Sequence, residues 1–359
     1  MHLDQNRRAV ASRNAQNEDQ KTNSPFLTIG IASYNYGGYL QKAFACIREQ
    51  TFSDYEILYC DDGSTDDSTT IIREIMKENP TICIRLVEGP NQGILANKNR
   101  LLEQAKGQYL MLCDADDHML PCCLEALCGA ARQENADCVI GGFVELDSDG
   151  RVLKQHVPPP DGCKWLYTWH HAQIYRTSIL KKHAITFRTL PDDVDYLQRI
   201  HLHAEHTVFV PRALYAWVRH SDSVSTDFST RPEWNPTRLW ENLSAQVAAI
   251  REQVVREEDR NALDYYLYKW FYFNIADLPV NNRNTLKASA AAMRQQMKKV
   301  IPDCRRLSRL CAAMQTKDTV FAKFAISACW AAEGTSAILW IARIRTWQHD
   351  FRGRRQRHE

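Results

Sequence analysis

The sequence predicts an α/β fold, a Rossmann-like, mainly parallel sheet flanked by helices, followed by an α-helical C-terminal region. Three observations predict it. Short β-rich runs alternate with helical patterns from Phe26 onward, polar loops follow those runs, and after about residue 228 long helical patterns take over. Strands alternating with helices of ten or more residues mean βαβ units, whose crossovers set neighbouring strands parallel.

In chain order, FLTIGIA (26–32) is the first strand. The loop SYNYGG follows, then YLQKAFACIREQ, where Leu40, Phe44 and Ile47 recur at helical spacing. YEILYC (55–60) is the second strand, DDGSTDDS turns and caps, and TIIREIMKE (70–78) places Ile71, Ile72 and Ile75 on one helical face. TICIRLVE is a third strand, GILANKNRLLEQA a third helix and QYLMLC a fourth strand. Pro121, taken as the first helical position, opens the helix that leads to the strand DCVIGGFVEL. LPDDVDYLQRI (190–200) opens a helix at Asp192 and Asp193 with Leu197 and Ile200 on its buried side, and YAWVRHSDSVS places His220 after a strand-like segment. RLWENLSAQVAAIREQVV, ALDYYLYKWFYFNIA and TLKASAAAMRQQMKKVI are successive helices separated by breaks such as LPVNNRN. The expected organisation is a disordered leader over 1–24, an α/β domain over 25–228, and a helical region over 229–359 ending in a basic tail.

Composition narrows the function. A net charge of +2 over 359 residues provides no basic face for nucleic acid. Twelve cysteines scattered through apolar segments, without metal spacing, read as reduced thiols. The polar N-terminus has no signal-peptide pattern, so a cytoplasmic chain is expected. In the tail, Trp340, Ile344 and Trp347 share a helical face, with Arg343, Arg345, Arg352, Arg354 and Arg355 nearby. Lys323, Glu333 and Gly334 interrupt the run, so it does not span a bilayer. It suits either a peripheral helix on the inner membrane face or a helix docked on the domain or a partner.

The chemistry concentrates at strand ends. MLCDADDHMLP sets Asp114, Asp116 and Asp117 side by side, and like charges this close raise one another's pKa unless a cation or several donors neutralise them. Asp114 and Asp116 can offer oxygens to Mg²⁺ or Mn²⁺, which bridge to substrate phosphates. A D-x-D pair alone is weak. Its place after a buried strand, level with the SYN loop and the DDG turn, strengthens it, because α/β sheets bind ligands beyond the carboxyl ends of their strands. Taken alone, Asp61-Asp62-Gly63 is a turn with a helix cap, or else a pocket floor whose carboxylate accepts a ring N–H such as that of uracil. Asp192 and Asp193 alone are helix-dipole caps, and His220, Trp169, His170 and His171 alone are packing residues without a metal signature.

Taken in order, SYN, QTFSDYEILYCDDGSTDDS and NQGILANKNRLLEQAKGQYLMLCDADD resemble the nucleotide-sugar domain of family 2 inverting glycosyltransferases of GT-A fold, over about residues 26–228. The resemblance implies that Ser33, Tyr34 and Asn35 hold the nucleotide and that Asp62 recognises uracil. It sets Asn91 to Asn99 over base and diphosphate, with Lys98 where an arginine is usual. Asp114 would touch ribose, with Ala115 beside it in the nucleotide site. Asp116 and His220 would bind Mg²⁺ or Mn²⁺, Asp193 would be the catalytic base, and Asp117, Trp169, His170 and Asp192 would line an acceptor or donor pocket. Two departures stand out: Ala32 replaces a proline, and Lys98 keeps charge but loses bidentate geometry. The Q-x-x-R-W signature of processive synthases does not follow Gln198 and Arg199, so single-sugar transfer is expected. The implied donor is a nucleotide sugar of the UDP type. The implied acceptor is a glycan or a lipid-linked sugar of a bacterial-type surface polysaccharide. The alternative is a non-catalytic nucleotide-sugar-binding scaffold, against which the full set of carboxylates counts. A dehydrogenase is disfavoured because no G-x-G-x-x-G follows the first strand, and a nucleotidyltransferase because the first loop is not basic. No oligomeric state is implied.

Overall fold

A computed structural model describes residues 24–189, 192–220, 236–276 and 283–300. The leader and the Trp340–Trp347 tail lie outside the described residues.

The first half is a βαβ series. Strand β1 (Leu27–Ser33) is followed by helix α1 (Gly37–Arg48), β2 (Tyr55–Asp61) by α2 (Ser68–Glu78), and β3 (Cys83–Glu88) by α3 (Ile94–Gln104), with β4 (Tyr109–Leu112) closing the series. The pairs β1–β2, β2–β3 and β1–β4 are parallel, and Ser33 lies level with Asp61, so both loops leave the sheet at the same edge. Leu27, Ile29 and Ile31 alternate with Thr28 and Gly30 along β1, all buried, because helices cover both faces of the sheet.

The second half is mixed. It comprises β5 (His118–Met119), α4 (Cys123–Glu134), β6 (Cys138–Leu146), β7 (Val152–His156), a 3₁₀ turn (Lys164–Leu166), β8 (Gln173–Arg176), α5 (Thr177–Lys182), α6 (Asp192–His203) and β9 (Thr207–Val218). The strand order is β3-β2-β1-β4-β8-β6-β9-β5, with β7 paired to β6. β8 runs antiparallel to β4 and β6, while β6 and β9 are parallel. Pro121 does not begin a helix. Leu120 N still bonds to Leu214 O, so the chain must turn first; Cys122 takes a left-handed φ of 61°, and α4 starts at Cys123.

Three helices follow, α7 (Pro236–Gln253), α8 (Glu257–Ala276) and α9 (Arg283–Val300). Trp240, Leu243, Val247 and Ile250 bury one stripe of α7 in a cluster that includes Leu58 and Leu101 of the sheet half, Trp165, Leu197 of α6 and Leu263 of α8. Each such side chain contributes roughly 1.5–3 kcal/mol by leaving water. Trp165 Nε1 donates to Asp259 at 2.8 Å and Thr168 bonds the Tyr266 hydroxyl at 2.9 Å, fixing the 164–168 segment to α8. That segment runs directly into His170 and His171.

Candidate active site

The site is assembled from strand-end loops. After β1, Asn35 adopts φ 59°, a conformation asparagine tolerates because its amide can bond locally. Its N–H donates to Ser64 Oγ at 2.9 Å, and its Oδ1 accepts from Thr65 N at 2.8 Å, so the first and second loops are joined through one residue. Asp61 closes the second turn by accepting from Ser64 N (2.8 Å) and Ser64 Oγ (2.6 Å). Gly63 sits at φ 72°, and a Cβ there would meet Asn91 N at 2.8 Å, so a side chain is excluded both by conformation and by space. Asp62 is buried and accepts from Gln92 N (3.0 Å), Gly93 N (2.8 Å) and Arg100 (2.9 Å), which holds the 91–93 loop over the second turn. Asn97 ties the ends of β1 and β2 by donating to Ser33 O and Cys60 O. Tyr34 stands exposed beside this floor.

The acidic loop after β4 forms the other wall. Ala115, Asp116 and Asp117 are buried and Asp114 is partly exposed. Strand β5 pairs with β9, which brings Val218 N to Asp117 Oδ1 at 2.9 Å and His220 Nε2 to Asp116 Oδ2 at 2.7 Å. Tyr39 stacks on His220 with ring centroids 4.8 Å apart. The antiparallel register of β4 and β8, continued past the strand ends, sets the residues ahead of β8 beside those after β4. His170 therefore lies between two carboxylates: Nε2 is 3.1 Å from Asp114 Oδ2 and Nδ1 is 2.8 Å from Asp193 Oδ2. Lys98 Nζ reaches Asp193 Oδ1 at 3.5 Å. His171 Nε2 lies 3.6 Å from Asp117 Oδ2 and 3.9 Å from Asp114 Oδ2.

Burial and charge divide the carboxylates into two groups. Burial opposes ionisation of Asp114 and Asp193, but the imidazolium of His170 and the ammonium of Lys98 outweigh it and hold both below the usual carboxylate range. Burial and the charge of Asp114 push Asp116 up, and burial with Asp114 and Asp116 pushes Asp117 far up. Burial disfavours a charged His170, yet Asp193 and Asp114 prevail and raise it well above the ordinary histidine value. Burial and the neighbouring His170 charge lower His171 to about 3, leaving it neutral. Burial and mutual repulsion make Asp116 and Asp117 the acids of this loop whose ionisation a nearby cation would favour most. Asp116 and His220 approach closely enough to become neighbouring ligands of one ion, so their donor set fits a divalent cation.

The sequence-predicted residues Asp114, His170, Asp193 and Lys98 are thus joined through close contacts, while Asp116 and His220 form a second pair on the same acidic loop. Trp169 lies at a wall, its ring 5.7 Å from that of Phe143 and 5.6 Å from that of His156. Asp192 begins α6. Sequence alone marks His171 only by its adjacency to His170 just before β8, and it is the β4–β8 pairing that brings it beside Asp114 and Asp117.

Comparison with known proteins decides the family: residues 28–190 match the family described as glycosyl transferase family 2. Residues 28–190 are a glycosyltransferase family 2 domain. Among similar proteins, the glycosyltransferase EpsH of Bacillus subtilis is 25% identical over 265 residues, covering 68% of this chain and 74% of the relative. The GalNAc(5)-diNAcBac-PP-undecaprenol beta-1,3-glucosyltransferase of Campylobacter jejuni is 30% identical over 131 residues, covering 36% of this chain and 42% of that enzyme. The crystal structure of S. aureus TarS 1-349 in complex with UDP-GlcNAc superposes with a TM-score of 0.62 at 16% identity, covering 88% of this chain and 90% of that TarS 1-349 chain. The fold is accordingly that of GT-A glycosyltransferases, and the family 2 domain makes this chain an enzyme of the glycosyltransferase type. No helix among the described residues is long and apolar enough to cross a membrane.

Proposed function

We propose that the protein is a metal-dependent, inverting, non-processive glycosyltransferase that moves one sugar from a UDP-sugar to a hydroxyl of a glycan or lipid-linked acceptor in surface polysaccharide synthesis. The observation that carries this reading is Asp193. Its carboxylate is kept ionised by His170 and Lys98, and His170 joins it to Asp114 in the loop after β4. An ionised, oriented carboxylate is what direct displacement needs on the acceptor side. Asp193 accepts the proton of the acceptor hydroxyl as that oxygen bonds to the anomeric carbon, and the bond from that carbon to the leaving diphosphate breaks on the opposite face. No enzyme-bound sugar forms, and configuration inverts. A divalent cation held by Asp116 and His220 would supply charge stabilisation for the leaving diphosphate. Asp62 and Tyr34 receive the base, Ser33 and Asn35 shape its loop, Asn91 and Lys98 flank the diphosphate, and Asp114 with Ala115 meets ribose. Trp169, Asp117 and Asp192 border the sugar and acceptor. The UDP-GlcNAc complex of TarS supports the donor class, and the undecaprenol-linked substrate in the name of the Campylobacter relative supports the acceptor class. The C-terminal tail, as a peripheral contact on the cytoplasmic membrane face, would bring the site to such an acceptor.

Thermal denaturation with UDP, GDP, CMP and dTDP, each with and without Mn²⁺, tests the donor and metal. A ligand at a hundred times its Kd stabilises by about 2.7 kcal/mol, so UDP with Mn²⁺ should raise the Tm by several degrees and Asp116→Ala should erase the shift. No shift with any nucleotide would instead favour a scaffold without catalysis. In transfer assays Asp193→Asn should abolish product while leaving the UDP shift intact.

A further inference from the structure

We propose that Asp114, His170 and His171 form a second divalent-cation site, separate from the Asp116–His220 pair and selective for a first-row transition ion such as Zn²⁺. A carboxylate oxygen of Asp114 and one imidazole nitrogen from each histidine lie within 4.8 Å of one another. Nε2 of His170 is 3.1 Å, and Nε2 of His171 3.9 Å, from the same Asp114 Oδ2. Two imidazoles and one carboxylate are a borderline donor set, which favours Zn²⁺, Co²⁺ or Mn²⁺ over the oxygen-seeking Mg²⁺ and Ca²⁺. The histidine side chains are 4% and 7% exposed while that of Asp114 is 39% exposed, so the site is walled on the histidine side and open on the other.

Two further observations point to a ligand. Asp117 is 1% exposed, and its Oδ2 makes no close hydrogen bond, the Tyr215 hydroxyl approaching the carboxyl more weakly, while lying 3.6 Å from His171 Nε2. A buried carboxylate oxygen left without a close donor is costly, and a cation beside His171 would compensate it. His170 meanwhile directs Nδ1 to Asp193 at 2.8 Å, which fixes the ring with Nε2 facing Asp114, and a bound ion would take the place of the Nε2 proton that the metal-free imidazolium shares with Asp114. A carboxylate on the outer nitrogen of a ligating histidine is the usual arrangement around protein-bound zinc and raises the basicity of the ligand. The site shares Asp114 with the nucleotide wall but needs neither Asp116 nor His220, so it stands whether or not the reading of the donor site is right.

The test is direct metal binding by the whole protein without nucleotide, followed by Co²⁺ absorption and by Zn²⁺ competition against a chromophoric chelator. The Asp116→Ala/His220→Ala double variant should retain about one equivalent of bound ion, with no sulfur-to-cobalt band from the cysteines. His171→Gln and Asp114→Asn should each weaken it by at least about a hundredfold, and Asp193→Asn, which removes only the outer partner, by about 10–100-fold. Mg²⁺ in large excess should not displace the ion. Melting curves check that each variant is folded; if His171→Gln is not, His170→Asn carries the same expectation. The inference is overturned if the wild type binds no transition ion, if the double variant loses binding, if Mg²⁺ competes equally, or if the folded His171 and Asp114 variants bind like the wild type. Zinc binding in a protein that shows no UDP shift would leave this site standing and remove the donor assignment instead.

Discussion

Asp117→Asn should stabilise the metal-free protein, the opposite of what removing a buried charge usually does. Asp117 Oδ1 accepts from Val218 N, but Oδ2 is buried with only a weak approach from the Tyr215 hydroxyl and faces the charges of Asp114 and Asp116. An unsatisfied buried acceptor costs roughly 1–3 kcal/mol, and a charged one more. Asparagine keeps the bond to Val218 and puts an NH₂ where Oδ2 was, toward the neutral ring of His171, so a gain on the order of 1–2 kcal/mol is expected. At about 2–4 °C per kcal/mol for a domain of this size, the Tm should rise by roughly 2–8 °C in EDTA. The pH dependence fixes the cause. Because the folded pKa of Asp117 lies above its unfolded value, its cost is absent in acid and grows as pH rises from about 4 toward the raised folded value. The two melting curves should therefore separate at pH 8 and converge near pH 4. A lower Tm for Asp117→Asn at pH 8, or a difference independent of pH, would refute this account of the acidic cluster.

Asp193→Asn should act in the opposite sense, lowering metal-free stability by about 2–3 kcal/mol at pH 6, just under the range for a fully buried pair, since it strands His170 and Lys98. That loss should fade in strong acid, as the depressed carboxylate protonates in the wild type, and also at alkaline pH, as His170 loses its proton; melts across pH check both limbs. Glu56→Ala removes a buried carboxylate that accepts from Thr28 Oγ1 (2.7 Å), Lys106 N (2.9 Å) and Arg85 (3.0 Å), and should cost about 3–5 kcal/mol by urea denaturation. Trp240→Ala empties a fully buried position against Phe271, and a similar loss of about 3–5 kcal/mol should appear in the same assay.

Much of this architecture was legible from periodicity. The strands YEILYC and QYLMLC, found over Tyr55–Asp61 and Tyr109–Leu112, and the helix at Asp192 are read from apolar spacing, because each element buries one face against a neighbour. The order of the SYN, DDG and D-x-D motifs similarly carried the site. Long-range pairing was not legible. The antiparallel β8, which slots between β4 and β6, has no local mark distinguishing it from a parallel strand, and it is β8 that brings His170 and His171 to Asp114. Pro121 misled because a helix-start preference is local, whereas the bond from Leu120 to Leu214 that delays the helix comes from 94 residues away in the chain. The Asn35 clamp was likewise hidden: its left-handed turn is set by partners in the second loop.

The anchoring of the 164–168 segment to α8 has a consequence for how the enzyme can be altered. Trp165 and Thr168 are held by Asp259 and Tyr266, and the same stretch delivers His170 to Asp114 and Asp193. The C-terminal helices therefore work as a splint behind the candidate site. Exchanging them for those of a relative to retarget the acceptor would also reset the angle of His170, so such chimaeras should be cut with α8 and residues 164–171 carried together.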